Sequence, residues 1–511
     1  MSNPERPIKK QKVAHEPQSQ SAPRLGSDSD SDEELPSYMQ QKTNSTSNSR
    51  NTFIYLDTIN RNLLDFDFEK MCSISLATNF VYGCLVCGKY FQGRSPGSHA
   101  YNHAINENHH IFVNLETTNF YILPDNYQIQ NDEILKYLSD IKLLISPQYT
   151  KDDIKNLSHI ATAKDLNNKP YHVGYIGLNN ISSNDYSNVI LQLLVHIPEI
   201  RNFYLSLSLP ESEDMKDKIN RKSILHEKLG LFVRKIWSSH LFKPHISPHE
   251  LLQFISLLSQ KKFTINEQRS PKAFLVWLLN QLHLQLVKAT KKSKTVLSET
   301  FQGNIEIKTT TLIANDNKDT KKVDFVLDTA STKSIKSKFW LLSLQLPDTS
   351  LLANSGLLNR NGDDTGQLPQ ISLLELLEKY NGESTHQTSP SEVKQYKLLQ
   401  PLPKYILIHV DRGLEEGSRG SPMVVKYPEI INMAPYVAGA NGELNYKLAG
   451  NITHQLVNGQ KLDRSDDKHQ WSISLPKTSD NWVTINNLQI DTCERELLFL
   501  KESYIQLWVQ C

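Results

Sequence analysis

Beyond residue 171 apolar residues recur without a long break, and their spacing changes along the chain. The segments NVILQLLVHI (188–197), ELLQFISLLSQ (250–260) and AFLVWLLNQLHLQLV (273–287) are apolar at i, i+3 and i+4, which predicts helices. Later segments are short and rich in β-branched and aromatic residues, which predicts strands: FWLLSLQL (339–346), YILIHV (405–410), KLAGNITHQLV (447–457), HQWSISL (469–475), WVTI (482–485) and YIQLWV (504–509). Helices first and strands later predict an α+β domain. Upstream, FIYLDTINRNLLDFDF (53–68) is dense in β-branched and aromatic residues, so order is expected to begin near Asn51. Cysteines and histidines then cluster up to His110, and a polar connector lies around 150–170. The expected division is a tail over 1–50, a small domain over 51–150 and a larger domain over 165–511.

Composition sharpens this picture. Residues 1–50 hold nine hydrophobic residues, ten Ser and five Pro, too little apolar surface to offset chain entropy, so a disordered tail is expected. Within it, PIKKQKV reads as a short nuclear-import signal or as an ordinary charged tail. The run SDSDSDEE (27–34) reads as a solvating acidic stretch or a target of acidophilic kinases. Across the chain 56 Lys and Arg balance 55 Asp and Glu, so this is not a polycation built to coat nucleic acid. A local exception is VKATKKSK (287–294), a solvated helix end or, alternatively, a phosphate contact. No apolar run approaches the roughly 18 residues of a membrane span. The first residues lack the apolar core of a secretory signal. Five Cys in 511 residues fit a reducing compartment rather than a disulfide scaffold.

The cysteines carry the first candidate chemistry. Cys84-Leu-Val-Cys87 is a C-x2-C pair that can present two thiolates to one ion from a tight turn, and Gly88 suits that turn. His103 and His109 can close a tetrahedral shell. Four protein ligands leave no open position, so the site would hold one structural zinc rather than a catalytic one.

CLVCGKYFQGR followed by HAYNHAINENHH resembles the ubiquitin-protease-type zinc finger: C-x2-C-G, a Gly-Arg pair, H-A-x-x-H and a further His six residues on. The resemblance places zinc on Cys84, Cys87, His103 and His109. Relatives often carry further sites. Here Ser75 stands where Cys72 needs a partner, and Gln92 stands where a Cys precedes Gly-Arg, with His99 the remaining ligand position. One ion is therefore implied. Arg94 matches an arginine that can grip the ubiquitin chain end, although an ordinary surface role is the expectation.

GLNNISSNDYSNVILQLL (177–194) resembles the Cys box of ubiquitin-specific proteases through Gly177, Leu178, Asn180, Tyr186, Asn188, Leu191 and Gln192. The resemblance implies the papain-like fold of that family, with a helical thumb, β fingers and a β palm. Cleavage in the family needs a Cys thiolate activated by His, but the nucleophile position holds Asp185. Asn180 matches the oxyanion donor. The family's catalytic His directly precedes an aromatic; with Trp471 as that aromatic the position holds Gln470, and His469 lies one residue off, on the opposite side of a strand. The third member maps to Asn486. The implied triad of Asp185, Gln470 and Asn486 has neither thiol nor base, and Asp185 is expected to cap its helix instead. No Cys occurs between Cys87 and Cys493, so the zinc-binding Cys pairs common in the fingers of active relatives are missing as well.

One branch of the family joins this finger directly to an inactive protease domain with Asn-Asp-Tyr in the Cys box, and it is associated with the U4/U6.U5 tri-snRNP. YLDTINRNLLDFDFEKMCSIS and LVCGKYFQGR are similar to that branch. The resemblance implies a nuclear, non-catalytic splicing scaffold that promotes assembly or stability of that particle. The near-neutral charge points to docking chiefly on protein rather than wide phosphate contact. The alternatives are a ubiquitin-binding adaptor without catalysis and, least favoured, an active cysteine deubiquitinase.

Overall fold

A computed structural model describes residues 55–157, 162–317, 322–347, 369–389, 391–414, 420–421, 423–457, 468–478, 481–499 and 501–511. The expected tail over 1–50, with PIKKQKV and SDSDSDEE, lies outside the described residues.

The first domain is a five-stranded antiparallel sheet with one helix against it. Strands β1 (Val81–Cys84), β2 (Tyr90–Gln92), β3 (Ile111–Asn114), β4 (Phe120–Ile122) and β5 (Tyr127–Gln128) run in the order β2-β1-β3-β4-β5, and helix α1 (His99–Asn106) joins β2 to β3. Its strands are only two to four residues long, and its core is correspondingly small, built around Tyr82, Phe91, Ala100, Ala104, Phe112 and Leu123. Helices Ser139–Ile145 and Lys151–Asn156 follow, but they pack on the second domain: Leu144, Tyr149, Ile154 and Leu157 join its core, and Tyr149 Oη donates to Arg234 O at 2.7 Å.

The second domain begins with helices, as the 3.6-residue periodicity predicts. These include α2 (Asp185–Val195), α3 (Ile224–Ile236), α4 (His249–Leu258) and α5 (Pro271–Thr290). Helix α5 has clear stop signals at both ends. Ser270 Oγ accepts the Ala273 N–H, Pro271 occupies the first turn, and Lys291 ends the helix in the left-handed region at φ 58°. Strands β6 (Gly303–Asn317) and β7 (Lys322–Phe339) then form a long antiparallel pair. With β9 (His386–Ser389) and β10 (Glu392–Leu399) they make a second sheet, ordered β7-β6-β10-β9, with Val437–Ala438 added on β10. The third sheet has β8 (Leu342–Gln345), β11 (Tyr405–Asp411), β12 (Asn445–Val457), β13 (Lys468–Pro476), β14 (Asn481–Asn486), β15 (Gln489–Glu494) and β16 (Ser503–Gln510). Their order is β8-β11-β16-β12-β13-β14-β15, with Ile430–Asn432 paired to β12. Only β8 and β11 run parallel along this order. The architecture is α+β.

The third sheet is covered on both faces, which explains why YILIHV reads as a continuous apolar run rather than an alternation. Tyr405 and Leu407 point into the core under the helices, whereas Ile406, Ile408 and Val410 enter a second core with Tyr446, Trp482 and Trp508. Helix α2 lies between the other helices and this sheet, and all eleven of its residues are buried.

The two domains are clamped together by the segment before the finger. Lys235 Nζ on α3 donates to Phe66 O at 2.7 Å and to Asp67 Oδ1 at 2.8 Å, and Asp67 Oδ2 accepts the Ser247 N–H at 2.9 Å. Among the described residues no helix is long and apolar enough to cross a membrane.

Candidate functional site

The candidate metal centre grows from the end of β1. Cys84 is its last residue, and the chain turns through Leu85, Val86 and Cys87 so that the Gly88 N–H returns to Cys84 O at 2.9 Å. Gly88 has φ +75°, and a Cβ there would lie 2.3 Å from Leu63 O, so only glycine fits this turn. Helix α1 presents His103, and His109 lies just beyond the helix end. The ligand atoms of Cys84, Cys87, His103 and His109 all lie within 4.8 Å of one another. Cys87 Sγ is 3.4 Å from His103 Nε2, which is 3.0 Å from His109 Nδ1. Zinc bonds of about 2.0–2.3 Å in a tetrahedron put neighbouring ligand atoms about 3.3–3.8 Å apart, so this spacing suits one ion. Phe91 stacks on the His103 ring at 4.1 Å and holds its orientation. The Cys84 thiol donates to Cys87, which lowers the Cys87 pKa to about 4 and raises that of Cys84. Both thiols can ionise together only beside a cation, which is what a divalent metal supplies.

The neighbouring cysteine has a different environment. Cys72 is fully buried, and its sulfur accepts N–H groups of Ile74 and Ser75 at 3.5 and 3.4 Å. Ser75 Oγ donates to Gln92 Oε1 at 2.9 Å, and Gln92 Nε2 donates to Asn79 Oδ1 at 3.2 Å. Neutral hydrogen bonds thus tie together positions 72, 75 and 92. Among the described residues, only the Cys84 group gathers three or more Cys, His, Asp or Glu side chains at metal-binding distance. Arg94 donates to Asn126 Oδ1 at 2.5 Å and lies over the Tyr121 ring at 4.9 Å, so its guanidinium is engaged within the finger.

The second candidate site is where α2 meets β13. Three asparagines fold the approach to the helix. Asn180 Oδ1 accepts the Asn184 N–H at 3.0 Å, Asn184 Oδ1 accepts the Ile181 N–H at 2.7 Å, and Asn184 Nδ2 donates to Asn188 Oδ1 at 3.0 Å. The Asn180 side-chain oxygen is thus engaged in the turn. Asp185 follows as the first residue of α2 and is buried. Its carboxylate accepts from Gln268 Nε2 at 2.7 Å, from Trp471 N at 3.3 Å and from Tyr186 N at 2.9 Å. The same Gln268 Nε2 also reaches His469 O at 2.8 Å. The expected helix cap thus engages one helical N–H, and its other partners lie across the cleft.

His469 and Trp471 line a cleft of about 520 Å³ together with Gln268, Phe263 and Tyr504. His469 Nδ1 meets His454 Nε2 at 2.7 Å, and His454 Nδ1 is 3.7 Å from Glu502. Gln470 pairs with Gln455 on β12, and strand alternation puts it on the side of Ser472. Asn486, at the end of β14, accepts from Asn487 Nδ2 at 3.3 Å and lines a larger polar cleft of about 940 Å³ with Ser472 and Thr484. The structure corrects the expected arrangement: strand alternation puts His469, not Gln470, on the side of Trp471, along the cleft of the Asp185 partner Gln268, while Gln470 faces the other side of β13 and Asn486 lines the larger cleft. Sequence reasoning missed Gln268, whose partners lie 83 and 201 residues away.

Burial raises the Asp185 pKa, and the hydrogen bonds from Gln268 and Trp471 offset this only in part. A raised folded-state value means that this side chain's contribution to stability is full below the ordinary value of 3.8 and is lost as pH rises through the folded value. Asp185→Asn removes that loss. The stability of Asp185→Asn relative to the wild type should therefore increase between about pH 4 and pH 7, as read from denaturant midpoints.

With this geometry in view, residues 176–508 match the family described as "Ubiquitin carboxyl-terminal hydrolase", and residues 72–134 match "Zn-finger in ubiquitin-hydrolases and other protein". The chain is 36% identical over 469 residues to a "Probable mRNA-splicing protein ubp10" of Schizosaccharomyces pombe, covering 89% of this chain and 88% of that one. It is 36% identical over 472 residues to the Homo sapiens protein named "Ubiquitin carboxyl-terminal hydrolase 39", covering 89% and 79%. A solved structure described as "Crystal structure of an essential yeast splicing factor" aligns with TM-score 0.69 and 28% identity over 90% of this chain and all of that one.

Proposed function

The chain belongs to the ubiquitin carboxyl-terminal hydrolase family, with a zinc finger of the ubiquitin-hydrolase type in front, and on that premise we propose that it serves pre-mRNA splicing as a non-catalytic scaffold. The observation that carries this reading is Asp185. It stands at the first turn of α2, where the family keeps its thiol, and its carboxylate is held by Gln268 and the Trp471 N–H. A carboxylate attacks an amide poorly. It would also face a developing oxyanion: two unit charges about 4 Å apart repel by roughly 4 kcal/mol at an effective dielectric near 20. In our reading Asp185, Gln470 and Asn486 stand at the family's three triad positions without meeting as a working triad, and Asn180 is a structural remnant of the oxyanion site. Cys84, Cys87, His103 and His109 hold one structural zinc. Names of similar proteins support the process.

The fold then works by surface. The protein would act in the nucleus by binding the joined U4/U6.U5 tri-snRNP better than its separated parts, which shifts assembly by mass action. Depleting it should lower tri-snRNP on a density gradient, raise free U5 and U4/U6 particles and leave pre-mRNA unspliced. Unchanged gradients and splicing, with ubiquitin conjugates building up, would replace this reading with a ubiquitin-handling role.

A further inference from the structure

The chain's charge is balanced overall, but its lysines are not spread evenly. Lys291, Lys292 and Lys294 follow the end of α5, and all three are exposed. Lys308, Lys336 and Lys338 are exposed on the β6–β7 pair. The register sets Glu306 opposite Lys336, Lys308 opposite Ser334 and Asn304 opposite Lys338. These three lysines therefore share one side of the sheet, opposite the side on which Ile305 is buried. Lys336 and Lys338 lie two residues apart on one strand, hence about 7 Å apart along it.

His283 joins the two groups. Its Nδ1 is 2.8 Å from Thr295 Oγ1, the residue after Lys294. Lys338 lies two residues before Trp340, whose ring meets that of His283, so the end of β7 comes to the same helix; burial lowers the His283 pKa, and the Lys338 charge adds to the effect. The Trp340 ring lies 5.5 Å from the His283 ring, edge-on, and its indole N–H is fixed on Asn280 Oδ1 at 2.7 Å. Lys294, beside Thr295, and Lys338, two residues before Trp340, thus flank a partly exposed, immobilised indole, and Lys336 and Lys308 continue the basic row farther along the β6–β7 pair. Among the carboxylates nearby, Glu306 opposite Lys336 is half-buried and accepts from Ser334 Oγ, Glu299 on the helix Val296–Phe301 is exposed, and Asp328 lies farther along β7.

We propose that this surface binds single-stranded RNA, with the lysines on phosphates and Trp340 as a stacking platform for a base. Lysines in a row beside a fixed aromatic ring are the pattern that single-strand binding uses. An acidic protein segment would need the charge but not the partly exposed, fixed indole. This goes beyond the scaffold reading: the test uses the isolated full chain, so it can fail while a splicing role stands.

The test is fluorescence anisotropy with a labelled, mixed-sequence single strand of about 20 nucleotides, titrated over a range of salt. The triple variant Lys292→Glu, Lys294→Glu and Lys338→Glu should bind at least about tenfold more weakly, and its log–log salt slope should shrink by about 2, at about 0.7 per lost phosphate contact. Trp340→Ala should weaken binding about tenfold and leave that slope unchanged. A control reversal of the exposed Lys142, Lys155 and Lys218 should change neither quantity. Circular dichroism confirms that each variant is folded, and Lys338→Gln provides a milder second probe. The proposal fails if the wild type does not bind at about 50 mM salt, or if the control reversal matches the triple variant. It also fails if poly-glutamate displaces the RNA as well as unlabelled RNA does, since the partner is then an acidic protein.

Discussion

Replacing Cys84 with serine should cost the protein its metal and, with it, the fold of the finger. The finger has little else to hold it. Its strands are two to four residues long, its core is small, and Cys84 itself is a buried member of that core. Structural zinc contributes about 10–16 kcal/mol of apparent binding free energy in zinc-finger peptides, and that energy is folding energy where no site exists in the unfolded chain. Elemental analysis should give close to one equivalent of zinc for the wild type and none for Cys84→Ser, and limited proteolysis should cut the variant within 81–128 first. Cys72→Ala, which removes a buried sulfur that accepts the Ile74 and Ser75 N–H groups and has no place among the four ligands, should keep the metal. A variant that retained zinc without Cys84, or a wild type holding two equivalents, would contradict the ligand assignment.

The second large effect lies at the domain junction. Asp67→Ala should destabilise the protein by about 3 kcal/mol, the lower end of the cost of leaving a buried charge unpaired. Lys235 is only 6% exposed, and Asp67 is its one carboxylate partner within the clamp, alongside the Phe66 carbonyl. The same substitution strips the Ser247 N–H of its acceptor. Lys235→Met should cost much less, because it fills the site with an apolar chain and leaves no stranded cation. The outer pair, Lys243 with Asp65, is more exposed, and its removal should cost below about 1 kcal/mol. Urea denaturation of the three variants measures this order. Equal losses from Asp67→Ala and Lys235→Met would mean that the charge is not buried in the way described.

What the sequence made legible, and what it hid, follows from the range of the interactions. Helix α2 and strand β11 were readable because periodicity and β-branching are local signals. The Cys84–Cys87 pair was readable because a metal restricts ligand spacing within a short stretch. Gln268 was not, because it connects Asp185 to His469 across three distant parts of the chain and is a residue type common on surfaces. Nor was the fate of LLDFDF. It is dense in aromatics, but only the short turn Arg61–Leu63 is regular there, because Asp65 and Asp67 are anchored on the other domain. The capping expectation for Asp185 considered the helix start alone, while Gln268 Nε2 and the Trp471 N–H, two of its donors, come from elsewhere in the fold.

The central claim, a hydrolase fold that has left hydrolysis, is tested most directly by turnover of a fluorogenic ubiquitin C-terminal amide by the purified full chain. The prediction is a rate equal to buffer for the wild type. The same holds for Asp185→Cys, since a thiol with a pKa of about 8.5 stays largely protonated near neutral pH unless a base engages it, and the nearby His469 is bound through Nδ1 to His454. In this structure His469 Nδ1 meets His454 Nε2, and the His469 carbonyl accepts from Gln268 Nε2. Turnover by Asp185→Cys would mean that His469 or another base reaches the site, and clear turnover by the wild type would contradict the account outright.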